Sequence, residues 1–340
     1  EFKKNGYEIS YIGSKTGIEN EMIGKIPEVK YYKISSGKLR RYFSWENFID
    51  PFKVLKGIVD SALVLRKEKP NFVFSKGGFV SVPVCIAARF LKIPVVLHES
   101  DLTPGLANKI NIKFCNHIFT TFEDTQKFLP KGKASLIGAI VRDDIYTGDA
   151  NLAYELTGFT SEKPVMLVMG GSLGSKTLNN AWRELLPKLK GKNIQLVWQT
   201  GKLEYQNIIS QCESDEQAIK IKEFISDMAL AYSAADVIVS RAGAIAISEL
   251  AIAGKPILLV PFPFAAEDHQ TKNAMALVEK NAARMVKDSQ MEAVFWQTLS
   301  EICNNQSLRE QMSRNLSLFA KPKATQEIVA QLLEALSLRP

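Results

Sequence analysis

The residues best suited to chemistry stand at five places where a β-type run gives way to a helical one. Gly170-Gly171-Ser172-Leu173-Gly174-Ser175 follows the apolar run Val165 to Met169 and opens an amphipathic stretch. Glycines there let backbone N–H groups approach a phosphate, and the following helix N-terminus adds partial positive charge. A tight turn without a ligand is the alternative, and the missing Gly-Lys-Ser/Thr excludes a Walker P-loop. Ser240-Arg241-Ala242-Gly243 leads into Ala244, Ile245, Ala246, Ile247, Ser248 and Glu249 in the same way. Its amides suit phosphates, and Glu249, in the first or second helical turn, suits two ribose hydroxyls. A carboxylate so placed is also a plain dipole partner worth about 0.3–1 kcal/mol, and the segment alone leaves both readings open. Pro261 to Asn273 is a Pro-rich polar loop in which Gln270, donor and acceptor at once, suits sugar hydroxyls, while His269 and Gln270 suit helix capping equally. In the first half, Ser75-Lys76-Gly77-Gly78-Phe79 and the run from His98-Glu99-Ser100-Asp101 to Asn108-Lys109 occupy the same kind of junction.

Such loops need a scaffold of alternating strands and helices. Phe72–Phe74, Val95–Leu97 and Ile118–Thr120 read as buried strands, with helical spacing over Phe52–Arg66 and Ser81–Leu91. Val165–Met169, Gln195–Trp198, Val237–Ser240, Ile257–Val260 and Arg284–Val286 repeat the pattern. Strands separated by helices of about 10–15 residues imply parallel, doubly wound sheets. The fold class expected is α/β, with two Rossmann-like domains facing a cleft: residues 1–143, 144–320, and a segment 321–340 that crosses back to the first. The boundary is expected within Asp143–Thr160, where polar residues and Gly interrupt the periodicity. Glu1 to Gly6 reads as the last turn of a helix, followed by a strand over Tyr7–Ile12, so a first strand and its loop are expected to precede Glu1.

At 340 residues, with 46% hydrophobic and 23% charged residues, the chain has ordinary globular proportions and no apolar run of the ~20 residues a membrane span requires. Four cysteines without a C-x-x-C pair, and three histidines, encode neither a zinc cluster nor a disulfide framework and suit a reducing cytoplasm. The net charge of +7 is uneven: residues 1–142 carry 23 Lys and Arg against 13 Asp and Glu, which points to an anionic partner for the first half. No D-x-D pair occurs, so a diphosphate must be neutralised by amides, helix ends and basic side chains such as Arg142, without metal or cofactor.

Together the loops Gly77–Ser81, His98–Asp101 with Pro104–Lys109, Gly170–Ser175, and His269-Gln270 with Asn273-Ala274 resemble the MurG family of N-acetylglucosaminyltransferases of bacterial peptidoglycan synthesis, over nearly the whole chain. Ser35 to Tyr42 resembles its Gram-positive branch. The resemblance implies a GT-B architecture and inverting, metal-independent transfer of N-acetylglucosamine from UDP-N-acetylglucosamine. The acceptor is the 4-hydroxyl of undecaprenyl-diphosphate-linked N-acetylmuramyl-pentapeptide. It implies donor contacts from Arg142 and Ser172, uracil contact through the backbone of Ile225, phosphate and ribose contacts from Ala244 to Glu249, and N-acetylglucosamine contact from Gln270. It puts Gly77, Gly78, Phe79, Asp101 and Asn108 on the acceptor and diphosphate side, with Asp101 where many members carry Asn. The family's first Gly-rich loop, with the His proposed as base, has no counterpart after Glu1. The catalytic base is therefore unassigned, His98 and Glu99 are expected to fix their loop, and the chain as given is expected to bind donor but transfer weakly. The resemblance further implies a peripheral protein on the cytoplasmic face of the cell membrane, serving cell shape and division. Tyr42, Phe43, Trp45, Phe48, Ile49 and Phe52 beside Arg40 and Arg41 form an interfacial candidate for an anionic inner-membrane surface, with a core-packing helix as the alternative. Nucleic acid is not expected as a partner. A UDP-N-acetylglucosamine 2-epimerase and a non-enzymatic membrane or nucleic-acid binder are the competing readings.

Overall fold

The computed structural model describes residues 1–37, 46–189, 194–212 and 218–337. Of the interfacial candidate, Arg40, Arg41, Tyr42, Phe43 and Trp45 lie outside the described residues, as do the side chains of Phe48 and Ile49. Lys38 and Leu39 of the Gram-positive-type segment lie outside them too.

The chain divides into two units, Glu1–Ala139 with Lys323–Pro340, and Ile140–Pro322. In the first, β1 (Ser10–Ser14) and β2 (Lys30–Ile34) form a parallel pair around α1 (Ile18–Ile23). After α2 (Glu46–Glu68), a four-stranded parallel sheet runs β3 (Val73–Ser75), β4 (Val95–Glu99), β5 (His117–Thr120) and β6 (Ala134–Leu136), with α3 (Ser81–Phe90) and α4 (Leu106–Asn111) as crossovers. The core forms where Leu65 of α2 and Cys85, Ala87 and Ala88 of α3 pack on Val95, Leu97 and Ile118.

The second unit opens with α5 (Ala150–Thr157). There follow β7 (Val165–Met169), α6 (Lys176–Leu189), β8 (Gln195–Gln199), α7 (Tyr205–Gln211), β9 (Ile219–Lys222) and α8 (Met228–Ala234). Then come β10 (Val237–Ser240), α9 (Ala244–Ala253), β11 (Ile257–Leu259), α10 (His269–Val278), β12 (Arg284–Met285), α11 (Met291–Asn304) and α12 (Gln306–Ser317). The last helix, α13 (Ala324–Ser337), belongs to the first unit. The six strands are parallel in the order β12-β11-β10-β7-β8-β9. Every residue of β7 is buried, as a strand covered on both faces requires, and Trp182 of α6 meets Phe295 of α11 edge-on at 6.1 Å over the same core. Strand order reverses between β7 and β10, and the crevice at the carboxyl ends of those two strands is where a doubly wound sheet takes ligands.

The structure departs from the sequence-based expectations in three places. The first strand is Ser10–Ser14, not Tyr7–Ile12. Strands β2, β6 and β9 lack an uninterrupted apolar run: Lys30-Tyr31-Tyr32-Lys33-Ile34 and Ile219-Lys220-Ile221-Lys222 interleave lysines. The division falls after Ala139 instead of within Asp143–Thr160, because that polar stretch is structured and packs on the second unit. Asp149 caps α5 by accepting from the Asn151 and Leu152 N–H groups, Gly158 ends it at φ +72°, and α5 packs on α8. Arg142, expected in the first domain, thereby joins the second.

Candidate functional site

The two small-residue loops flank the crevice of the second unit. The loop after β7 runs over Gly171 and Gly174 at φ +85° and +81°, and a Cβ on Gly174 would overlap the Thr200 carbonyl, so this close approach of two backbones admits only glycine. Ser172 sits exposed at its tip. Beyond β10, Gly243 precedes α9 without a side-chain cap, and the first intrahelical bond runs from the Ile247 N–H to the Gly243 carbonyl. The N–H groups of Ala244, Ile245 and Ala246 are thus the unfilled donors that every helix start leaves. Of the other members of this set, Ile247 is a core side chain and Ser248 donates its hydroxyl to the Ala244 carbonyl at 2.9 Å, which leaves the serine oxygen only as an acceptor.

Glu249, one and a half turns into α9, accepts from the Tyr232 hydroxyl at 3.1 Å through Oε2, while Arg142 Nε stands 4.0 Å from Oε1. Burial pushes the Glu249 pKa upward and nearby Asp144 adds to the shift; the Tyr232 hydrogen bond and the Arg142 charge oppose it. The Tyr232 phenol, buried beside a carboxylate, is pushed up strongly and remains a donor. Arg142 itself is half exposed. Its guanidinium is therefore open to an anion at the same edge.

Gln270 lies in the first turn of α10, yet its Oε1 accepts from the N–H groups of Ala242 at 3.1 Å and Phe262 at 3.0 Å, joining the loops after β10 and β11. Its acceptor is occupied, which leaves the Nε2 donors for a ligand. The N-cap of α10 is Asp268, in the left-handed conformation and without a side-chain capping bond. Ile225, in the loop after β9, gives its N–H to Gln199 Oε1 at 2.9 Å.

Two polar centres at this edge had no assigned role in the sequence. Arg241, 8% exposed, donates to the carbonyls of Val260 and Pro261 at 3.0 Å each and to Ser175 Oγ at 2.6 Å, and pairs with Asp288. Asp288 Oδ2 also accepts from Thr177 at 2.6 Å. One guanidinium so fastens the loops after β7, β10, β11 and β12. Gln199 ends β8 and donates from Nε2 to the Gly171 carbonyl at 3.0 Å. A charged or amide residue at the end of an otherwise apolar strand was the available signal for both.

In the first unit, Glu99 is the organising group. Buried at 4% exposure, it accepts from the Asp101 N–H at 2.9 Å, the Gly105 N–H at 3.3 Å and Asn108 Nδ2 at 2.7 Å. Burial raises its pKa, the three hydrogen bonds oppose this, and the Asp101 charge adds to it. Asn108 packs beneath Gly77, which together with Gly78 takes a left-handed conformation ahead of α3. Gly77, Gly78, Phe79, Asp101 and Asn108 thus come from neighbouring loops at the carboxyl end of β3 and β4. His98 is fully buried, with Nε2 against the Gly138 carbonyl at 2.8 Å and Nδ1 facing Lys76 Nζ at 3.3 Å. Burial, with Lys76 beside it, lowers its pKa to about 3. Both ring nitrogens are engaged, and the residue is a neutral structural tie. Burial also lowers the Lys76 pKa to about 8, against the pull of Glu99 and Asp101.

The glycosyltransferase family 28 N-terminal domain matches residues 1–120 and the family 28 C-terminal domain matches residues 165–328. A Staphylococcus aureus UDP-N-acetylglucosamine--N-acetylmuramyl-(pentapeptide) pyrophosphoryl-undecaprenol N-acetylglucosamine transferase is 48% identical over 326 residues, 93% of this chain and 90% of the relative. The crystal structure of Acinetobacter baumannii MurG matches with a TM-score of 0.80 at 28% identity, over 98% of this chain and 93% of that one. A Neisseria meningitidis UDP-GlcNAc 2-epimerase matches with a TM-score of 0.64 at 16% identity, over 93% of this chain and 89% of that one, and shares the fold alone.

Proposed function

The chain belongs to glycosyltransferase family 28, of GT-B architecture, and within it to the MurG type; from that premise we infer how its residues carry the reaction. The protein is an N-acetylglucosaminyltransferase of peptidoglycan synthesis, moving N-acetylglucosamine from UDP-N-acetylglucosamine to the lipid-linked N-acetylmuramyl-pentapeptide. The observation that carries the donor assignment is the convergence, at one topological switch point, of unfilled amides at α9, the partly buried Glu249 and the half-exposed Arg142. In this reading the α9 amides and Arg142 take the diphosphate, Glu249 accepts from the ribose hydroxyls, and Ile225 meets uracil through its backbone. Ser172 contacts the donor from the loop after β7, and Gln270 reads the sugar as a donor.

The acceptor 4-hydroxyl forms the new bond to the anomeric carbon from the face opposite UDP, and the bond from that carbon to the diphosphate oxygen breaks, inverting configuration. The hydroxyl proton passes to a base that is neither His98 nor Glu99, since both are buried within hydrogen bonds of their own. Charge develops on the leaving diphosphate, and amides already oriented toward it stabilise it without a metal ion. Gly77, Gly78, Phe79, Asp101 and Asn108 form the acceptor side of this reading.

Attachment to an anionic membrane surface rests on α2. Phe52, Leu55, Val59 and Leu63 are 72%, 60%, 59% and 61% exposed and recur at spacings of 3, 4 and 4, an apolar stripe down a helix whose opposite face packs on the core. No described helix is long and apolar enough to cross a membrane, so a stripe of this kind lies along the interface. Calorimetric titration with UDP-N-acetylglucosamine in the presence of a chelator tests the donor assignment: saturable one-site binding is expected, and its absence, or its dependence on a divalent cation, would overturn it.

A further inference from the structure

We propose that Gln199 is a positioning residue that makes the donor site selective for uracil, by fixing the polarity of the base-reading loop and its distance from the phosphate loop. Gln199 is the last residue of β8, 4% exposed, and its side chain rises from the sheet edge between two loops. On one side Oε1 accepts from the Ile225 N–H at 2.9 Å; on the other, Nε2 donates to the Gly171 carbonyl at 3.0 Å. An N–H can only give and a carbonyl can only take, so the two partners allow a single orientation of the amide. The Ile225 N–H is therefore spent inside the protein, and the Ile225 carbonyl has no partner among the described residues. The base-reading loop is left presenting an acceptor. Uracil offers a ring N3–H donor to such a carbonyl, whereas cytosine offers a bare N3 acceptor, which repels it. The Gly171 bond ties this acceptor to the Gly-rich loop, so base and phosphate are gripped at a fixed separation.

The inference rests on the donor reading given above, and the test separates the two. UDP and CDP are titrated against the full chain by calorimetry for the wild type, Gln199→Leu and Gln199→Glu. The wild type is expected to prefer UDP. Gln199→Leu, which keeps the volume and loses both bonds, should weaken UDP about tenfold, the worth of one or two buried hydrogen bonds. It should also bring the UDP to CDP ratio close to one, and in turnover raise the donor KM while leaving kcat within about twofold, since the amide is remote from the reacting carbon. Gln199→Glu retains the acceptor for Ile225 but sets a carboxylate against the Gly171 carbonyl, so it should weaken both nucleotides while keeping the preference. A folded Gln199→Leu protein with an unchanged UDP to CDP ratio overturns the inference and leaves the donor reading intact. So does loss of the preference in Gln199→Glu, which carries the test if the leucine variant does not fold. A wild type that binds neither nucleotide overturns both.

Discussion

Replacing Arg241 with methionine removes the group that fastens four loops of the second unit and is expected to lower both stability and donor affinity. The side chain of Arg241 is 10% exposed and that of its partner Asp288 16%. The substitution therefore leaves a largely desolvated carboxylate with only the Thr177 hydroxyl, and strands the Val260 and Pro261 carbonyls. Breaking one side of a buried ion pair costs about 3–5 kcal/mol; the residual exposure of Asp288 lets water recover part of that, so the lower end, about 3 kcal/mol, applies here. For a unit in the range of 150–250 residues this corresponds to a fall of roughly 6–12 °C in unfolding temperature. Asp288→Asn keeps an acceptor for the guanidinium and should cost less, about 1–2 kcal/mol. Scanning calorimetry of both variants, followed by UDP titration below the transition, provides the assay. An Arg241→Met protein that unfolds within about 2 °C of the wild type would refute the reasoning, because the cost assigned to the stranded carboxylate would be absent.

Glu249→Ala should weaken UDP binding about 10- to 150-fold, the worth of a charge-assisted hydrogen bond of about 1.5–3 kcal/mol, and calorimetry reads it directly. His98 sets a pH dependence in the first unit: with its folded pKa at about 3 against 6.5 for the free side chain, the unfolded chain binds a proton that the folded chain refuses. Its contribution is thus fully present above pH 6.5 and is lost as pH falls toward 3, by up to about 1.4 kcal/mol per pH unit, and His98→Asn should flatten that slope in denaturant titrations between pH 7.5 and 4.5. Leu55→Glu combined with Leu63→Glu should reduce flotation with anionic vesicles on the order of tenfold or more, since each leucine is worth up to about 1.5–3 kcal/mol when buried; undiminished flotation would remove α2 from the membrane account.

Much of this site was legible because its strands are covered on both faces and read as unbroken apolar runs: Val165–Met169 and Val237–Ser240 appear in the structure with the boundaries their residues suggest, and the loops beyond them follow. The strands that interleave lysine, β2 and β9, carry no such run. The helix Ala150–Thr157 was hidden because its capping residues, Asp149 and Gly158, also mark a linker when read alone. Side-chain bookkeeping was hidden for a deeper reason. Gln270 suits donating and accepting by type, but only the fold shows that Ala242 and Phe262 already occupy its acceptor. Arg241 and Gln199 act through residues between 19 and 66 positions away in the chain, a separation that local spacing cannot register.

The central claim is tested most directly by incubating the chain with UDP-N-acetylglucosamine labelled in the sugar and a vesicle-embedded undecaprenyl-diphosphate-linked N-acetylmuramyl-pentapeptide, with chelator present, and weighing the lipid product by mass spectrometry. The account predicts an acceptor heavier by one N-acetylhexosamine residue, with one UDP released for each sugar transferred. Conversion of UDP-N-acetylglucosamine to its 2-epimer with the lipid acceptor unchanged would contradict it.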